Sequence, residues 1–370
     1  MNIRYCGPCR DYSGYGEANR HDVAALLEAG VSVTGQYPSY VYEVSDFGKL
    51  GQKVMAVENK PLNYDIKILH TTPNIFPQYM EQGKYHIGRV FWETSRLPED
   101  FAIGAQACEE IWTGSEYNKQ AIISSGVTKK IYVIPEAIDT SEDVEAIKPY
   151  TLDEPDTFKF YSIFEWTERK NPEALLTAYW LEFEGVTDVS LNIKTYLDNF
   201  SSGKKEEIDQ SIRLFKKKLP VSHYATVNLC RRLMDRRQVY RFHKTFDCFV
   251  SAHRGEGWGV PQMEAMLVGK PVISTNCGGI HEYLVDGKDA LLMPYTLKQV
   301  ENTRNKQWYT SEQEWADVDI PALRKAMRFM YEEKKQREEI AKSGQELVRR
   351  LFSLEAVGKR MLDRLSQIHL

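Results

Sequence analysis

The 370-residue sequence contains no apolar run long enough to cross a membrane and opens without the basic and apolar pattern of a signal peptide. Neither a spanning helix nor a secretory leader is therefore expected, and the cytoplasm is the expected compartment. Charge of one sign is not in excess: the formal net charge is -4, which removes any global electrostatic case for nucleic acid or an anionic membrane. Cysteine is scarce, at positions 6, 9, 108, 230, 248 and 277, and its scatter excludes the framework of a small disulfide-stapled domain. Cys6-Gly7-Pro8-Cys9 is a solitary C-x-x-C. Without a second pair, two unbridged loop thiols are the expectation, with a redox motif or half a metal site as the alternatives. Internal repeats and low-complexity segments are lacking as well, so no solenoid is indicated.

What remains is an ordinary globular composition, 42% hydrophobic and 27% charged, on a chain longer than one core commonly supports. Two domains are expected. The most informative stretch is His253-Arg254-Gly255-Glu256-Gly257-Trp258-Gly259-Val260-Pro261-Gln262-Met263-Glu264. It follows an apolar run, residues 246–252, that reads as a short buried strand. Glycines at alternate positions forbid regular helix and let backbone approach a ligand closely, and Pro261 fits only the first turn of a following helix. The order is strand, glycine loop, helix. Glu256 and Glu264 can then face one crevice at the carboxyl end of a parallel strand, beside a helix start whose free N–H groups suit a phosphate.

The first half reads the same way. Asn2–Tyr5, the loop Asp11–Glu17, a helix from Ala18 to Ala29 and the alternating Val31–Thr34 form a βαβ opening, so a doubly wound parallel sheet is expected. Its Gly14-Tyr15-Gly16 lacks the third glycine of a dinucleotide fingerprint. Strands at 66–69 and 87–92 deliver His70 and Glu93 to the same edge. Residues 151–157 are polar, acidic and contain Pro155, as a domain linker would. A second βαβ series starts at Phe158, and its first loop holds Arg169-Lys170, a cation pair able to neutralise a diphosphate. The basic helix 204–218, with Arg231, Arg232, Arg236 and Arg237, reads as a solvated face or as a patch for an anionic acceptor.

Glu256-x7-Glu264, running into Gly269-Lys270-Pro271-Val272-Ile273-Ser274-Thr275 and then Gly278-Gly279-Ile280-His281-Glu282, resembles the donor-site signature of family-4 retaining glycosyltransferases. The resemblance implies an α/β GT-B fold: two Rossmann-like doubly wound domains facing across a cleft, with a C-terminal helix crossing back to the first. The corresponding boundaries are an acceptor-side domain at 1–150, a nucleotide-sugar domain at 151–353 and the crossover helix at 354–370. It further implies that Lys170, with Arg169 beside it, grips the donor diphosphate, helped by backbone at Gly259 and Val260. Glu264 would take the ribose, and Glu256, with the N–H groups near Trp258 and Gly259, the donor sugar. Gly14 and Gly16 would close over the diphosphate from the first domain, a plain structural turn being the alternative. His70 would stand near the acceptor, and Glu93 would face it or cap the next segment.

The sequence departs from the pattern twice. An arginine usual about five residues before Lys170 is replaced by Glu165, for which Arg169 is the candidate substitute. The usual Asn-Gly after Pro135 is Glu136-Ala137. The implied activity is retaining transfer of a sugar from a nucleoside-diphosphate sugar to a hydroxyl acceptor, with the departing phosphate taking the acceptor's proton. Nothing is read as a metal-binding Asp-x-Asp motif, so no metal or other cofactor is expected. A GT-B epimerase or phosphorylase, or a non-catalytic nucleotide-sugar binder, are the alternatives. The donor's base and sugar, the acceptor and the oligomeric state are not encoded in any motif read here.

Overall fold

Parallel pairing organises nearly all of the β structure. In the computed structural model, which describes residues 1–11, 13–38, 48–152, 157–198, 200–301 and 303–369, it forms two six-stranded sheets. Of the segments read above, Tyr12 in the first glycine loop and positions 153–156 of the linker lie outside the described residues. The first sheet contains β1 (Asn2–Cys6), β2 (Ser32–Gln36), β3 (Ile66–Leu69), β4 (Tyr85–Arg89), β5 (Glu110–Thr113) and β6 (Lys130–Val133), in the spatial order β2-β1-β3-β4-β5-β6. The second contains β7 (Phe158–Glu165), β8 (Val189–Tyr196), β9 (Thr226–Cys230), β10 (Cys248–Ser251), β11 (Val272–Thr275) and β12 (Leu291–Met293), in the order β12-β11-β10-β7-β8-β9. Every neighbouring pair in both sheets is parallel.

Helices connect these strands and cover both faces, so central strands such as β3 and β5 are buried at every residue, as sheets sandwiched between helices require. In each sheet the chain winds first one way and then the other. Switch points are left between β1 and β3 and between β7 and β10, and ligands of open α/β sheets bind beyond the strand ends at such points. The α/β, doubly wound architecture expected from the sequence is the one observed. Cys6 and Cys9 are buried, unbridged thiols.

The helix Leu354–Leu365 crosses back to the first domain. Ser353 caps it, accepting from the Ala356 N–H at 3.2 Å, and so separates it from the preceding helix Lys334–Phe352. Its Val357, Met361 and Leu365 join the core built on Ile3, Tyr5, Val23 and Leu26. Gly358 lies so close to the Ala25 carbonyl of helix Gly14–Glu28 that a Cβ would overlap it. Arg364 donates to both oxygens of the fully buried Glu110, at 3.1 and 2.5 Å, supplying the partner a buried carboxylate needs.

A two-stranded antiparallel hairpin, β13 (Tyr295–Gln299) and β14 (Glu314–Val318), was not legible in the sequence. All five residues of β13 are exposed, so it carries none of the apolar alternation that marks a half-buried strand. The segment joining its strands reaches the first domain.

Candidate active site

The donor wall is built from the two loops at the switch point of the second sheet. After β7, a short 3-10 turn (Glu168–Lys170) ends at Asn171, whose φ of 53° is left-handed, a conformation that asparagine tolerates. The Asn171 side chain accepts from the Ala174 N–H at 3.4 Å, and Pro172 opens the helix Pro172–Glu182. Arg169 and Lys170 are thereby held at the strand's carboxyl end. After β10, the loop runs to Gly259, with φ of 108° and no side-chain cap, before the helix Val260–Leu267. The first N–H groups of that helix are left facing a cleft of 1790 Å³, lined among others by Gly14, Glu93, Lys170, Glu256 and Glu264.

The two glutamates are each held by cations. The Lys170 ammonium forms a close ion pair with Glu256, and an Arg169 N–H lies 3.7 Å from the same oxygen. Burial works against the Glu256 charge, but Lys170 and then Arg169 outweigh it and hold the carboxyl at about 2. Glu264 faces Arg236 in a close ion pair that lacks the alignment of a hydrogen bond, and its other oxygen lies 3.1 Å from His243 Nε2. Burial opposes its charge too, and Arg236 with His243 keeps its pKa below the ordinary range. Arg236 also reaches Glu17 of the first domain at 2.8 Å. It had been grouped with the helix 204–218 patch, yet it lies in the cleft. Asp235, which caps the helix Arg236–Thr245 in a capping box, is the local signal that orients it.

Several charges of that patch have local partners. Arg231 pairs with Asp209 at 2.6 Å, Arg213 with Glu206 at 2.5 Å and Lys204 with Asp198 at 2.7 Å, while Arg232 lies over the Tyr150 ring. These charges are spent locally.

The glycines of the donor loop have a reason that sequence reasoning missed. A Cβ on Gly255 would fall on the Glu93 carbonyl, and one on Gly257 would come within 3.2 Å of Phe91 Cβ. The close approach that they permit is to the first domain as well as to a ligand. Gly16 is likewise required by the Asp11 carbonyl, whereas a Cβ on Gly14 would meet nothing within 4 Å. Gly14 therefore fronts open cleft, and Gly16 serves the turn. Ser13 caps the helix there, accepting from the Gly16 N–H at 3.1 Å.

His70 does not line the cleft. It is fully buried, with Nδ1 2.6 Å from the Tyr5 hydroxyl and 3.3 Å from Asp22, and burial lowers its pKa. It sits beneath Tyr15 and Phe91, which do line the cleft, and so lies one layer below the acceptor side. The Trp258 indole is also in the core, against Phe352 and Tyr283, which leaves only its backbone for a ligand. Glu93 caps no helix; it pairs with Arg169 at 3.6 Å and accepts from the Tyr309 hydroxyl at 3.3 Å. Arg169, which also donates to the Gly255 carbonyl at 2.9 Å, thus ties donor loop to acceptor side. Glu165 lines the cleft with a pKa raised by burial.

Tyr309 comes from the hairpin, whose connecting segment docks on the first domain. Ser95 N–H donates to the Glu314 carbonyl at 3.0 Å, Glu314 N–H to Ser95 Oγ at 2.8 Å, and Thr94 Oγ1 to Gln313 at 3.0 Å. Tyr309 stacks on Trp92 at 5.3 Å and Trp308 packs on Phe101 at 5.4 Å. Both hairpin aromatics line the cleft.

The hairpin also holds a sequence feature passed over above: Asp317-Val318-Asp319 is an Asp-x-Asp triplet. Asp317 pairs with Lys298, while Asp319 caps the helix Ile320–Glu332 through the Ala322 N–H at 2.8 Å, so both carboxylates have structural employment. Among the described residues no three potential metal ligands cluster.

Glu136 completes the inventory. It lines the cleft at 5% exposure. Burial above all, with Asp22, Glu256 and Glu264 adding to it against Arg89, raises its pKa to about 8.

Residues 202–302 match the family model Glycosyl transferases group 1. The serotype-specific mannosyltransferase WbdA of Escherichia coli is 26% identical over 245 residues, 65% of this chain but only 28% of its own length. The chain therefore spans little more than a quarter of that relative. The alpha-1,3/1,6-mannosyltransferase ALG2 of Dictyostelium discoideum is 41% identical over 59 residues, 16% of this chain and 14% of its own. In fold, the chain is similar over its full length to Anabaena Alr3699/HepE in complex with UDP and glucose, with a TM-score of 0.66 at 14% identity and all of both chains covered. Sucrose-phosphate synthase from Thermosynechococcus elongatus gives 0.68 at 16% identity, covering 99% and 98%. The family match is confined to residues 202–302, while the likeness in fold covers the whole chain.

Proposed function

We propose, for a GT-B chain whose second domain carries a group 1 glycosyl transferase segment, that it moves a sugar from a nucleoside-diphosphate sugar to a hydroxyl acceptor with retention of anomeric configuration. The observation that carries this is the pairing of Lys170 with Glu256 at the β7/β10 switch point, in the loop that leads into the helix Val260–Leu267 with its Glu264. Glu264 binds the ribose hydroxyls and Glu256 the hydroxyls of the transferred sugar. Lys170, supported by Arg169 and the N–H groups at Gly259 and Val260, faces the diphosphate between them.

In the reaction the bond from the anomeric carbon to the phosphate oxygen breaks and a bond to the acceptor oxygen forms on the same face. The acceptor's proton passes to the departing phosphate, so no protein nucleophile is required. Charge builds on the leaving diphosphate, and preorganised cations and N–H groups aimed there supply what is often the largest catalytic term. The Lys170–Glu256 pair gives the ammonium a defined position before the ligand arrives. The acceptor approaches past Glu93, which Arg169 and Tyr309 hold in place. UDP-glucose and GDP-mannose are the donors to test first, since the relatives are mannosyltransferases and a fold neighbour was captured with UDP and glucose.

Metal independence belongs to the same proposal and predicts undiminished turnover in EDTA. The deciding experiment is NMR of the new linkage formed from either donor: an α-linked product from an α-linked donor is expected, and an inverted product would sink the retaining mechanism. Change of the donor sugar without any acceptor would instead favour an epimerase.

A further inference from the structure

Resting on that function, we propose that Glu136 contacts the donor's diphosphate as an uncharged carboxylic acid, donating its O–H to a phosphate oxygen. The position argues for it. Glu136 follows β6 and Pro135 at the floor of the cleft, and its Oε2 has no hydrogen-bond partner. The cation that acts on it is already committed: Arg89 donates to Asp22 at 2.9 and 3.2 Å, to the Pro135 carbonyl at 2.9 Å and to the Ile134 carbonyl. The cations of the donor wall are engaged as well. Lys170 and Arg169 attend Glu256, and Arg236 with His243 attends Glu264.

The groups that act on Glu136 come from every side: Asp22 on helix Gly14–Glu28, Arg89 on β4, Glu256 in the donor loop and Glu264 on helix Val260–Leu267. Three are acids, and the single cation among them is shared with Asp22. A buried carboxyl in such surroundings gives up its charge, because neither water nor a cation stabilises the anion. In that state it has one O–H to donate, and carboxylic acids kept neutral by their sites do donate hydrogen bonds in this way.

The ligand it meets follows from the two glutamates of the donor wall whose charge reaches it in the same cleft. If Glu264 holds the ribose and Glu256 the transferred sugar, the part of the donor that passes between them is the diphosphate. As an anion, Glu136 would repel it; as an acid, Glu136 binds it.

The test is donor binding, with no turnover required. Calorimetric titration with UDP-glucose and GDP-mannose from about pH 6 to about pH 9 is suitable because their diphosphates carry no titrating proton over that range. Affinity should be level at the acid end and fall about tenfold per pH unit above about 8, with binding at pH 9 taking up about one proton, read from buffers of different ionisation heat. Glu136→Gln, which keeps a neutral donor, should remove both the fall and the proton uptake; Glu136→Ala should bind weakly at every pH. A level wild-type profile, or proton uptake that persists in Glu136→Gln, overturns the assignment while leaving the transfer function standing. Binding of neither donor at any pH removes both. The wild-type profile decides alone if the variants fail to fold.

Discussion

The two walls of the cleft are assembled by different means. On the donor side, the backbone that carries each key residue is set by its neighbours in sequence: Asn171 and Pro172 place Lys170, and Gly259 and Pro261 place Glu264. On the acceptor side, Glu93 is set by Arg169 from the other domain and by Tyr309, 216 residues away, while Thr94 bonds Gln313 across 219 residues. The first wall is local chemistry and the second is a clasp between distant segments. A local wall should fail residue by residue, whereas a clasp should fail as a unit.

The largest effect should come from the donor wall. Lys170→Ala should lower kcat by on the order of a hundredfold or more, the loss seen when one transition-state donor is removed, with circular dichroism to confirm folding; normal turnover would break the assignment. Next, Glu264→Ala should weaken donor binding by about tenfold or more, since a charge-assisted hydrogen bond is worth about 1.5–3 kcal/mol. Its signature is a donor Kd that rises while kcat at saturation changes less. On the clasp, Trp308→Ala and Tyr309→Ala should each raise the acceptor KM by several-fold and leave donor Kd unchanged. Their double variant should raise the acceptor KM little more than the larger single variant does, the non-additivity expected of groups that act together. Full additivity would mean that the hairpin is not one unit.

The smallest effect should be on acid stability. Glu256 titrates at about 2 in the folded protein, below its ordinary range, so its ion pair stabilises at neutral pH, and that contribution is lost as pH falls from about 4.5 toward 2. Lys170→Met should flatten this part of the pH–Tm profile.

The same contrast explains what could be read from sequence. Strand, glycine loop, helix and the Lys170 turn are local patterns with residue types dictated by backbone geometry, so the two doubly wound sheets and the gathering of Lys170, Glu256 and Glu264 in one cleft were legible. Arg236 was misassigned because its neighbours Arg231, Arg232 and Arg237 form a run in sequence, while in space Asp209 and the Tyr150 ring take two of them away. His70 was placed on the right strand end but one layer too high, since a strand terminus gives position and not depth. The hairpin was missed because β13 has no buried face, and Glu136 because its acid surroundings come from three separate segments.

The crossover helix also sets an order of events during synthesis. The strands of the first sheet are complete at Val133, yet the core beneath them awaits Val357, Met361 and Leu365. At about 5–20 residues per second, the ribosome takes on the order of tens of seconds to supply them. During that time helix Gly14–Glu28 exposes the groove that the last helix will fill. The first domain made is thus the last one finished, and proteolysis of stalled nascent chains should find it open until the final helix has emerged.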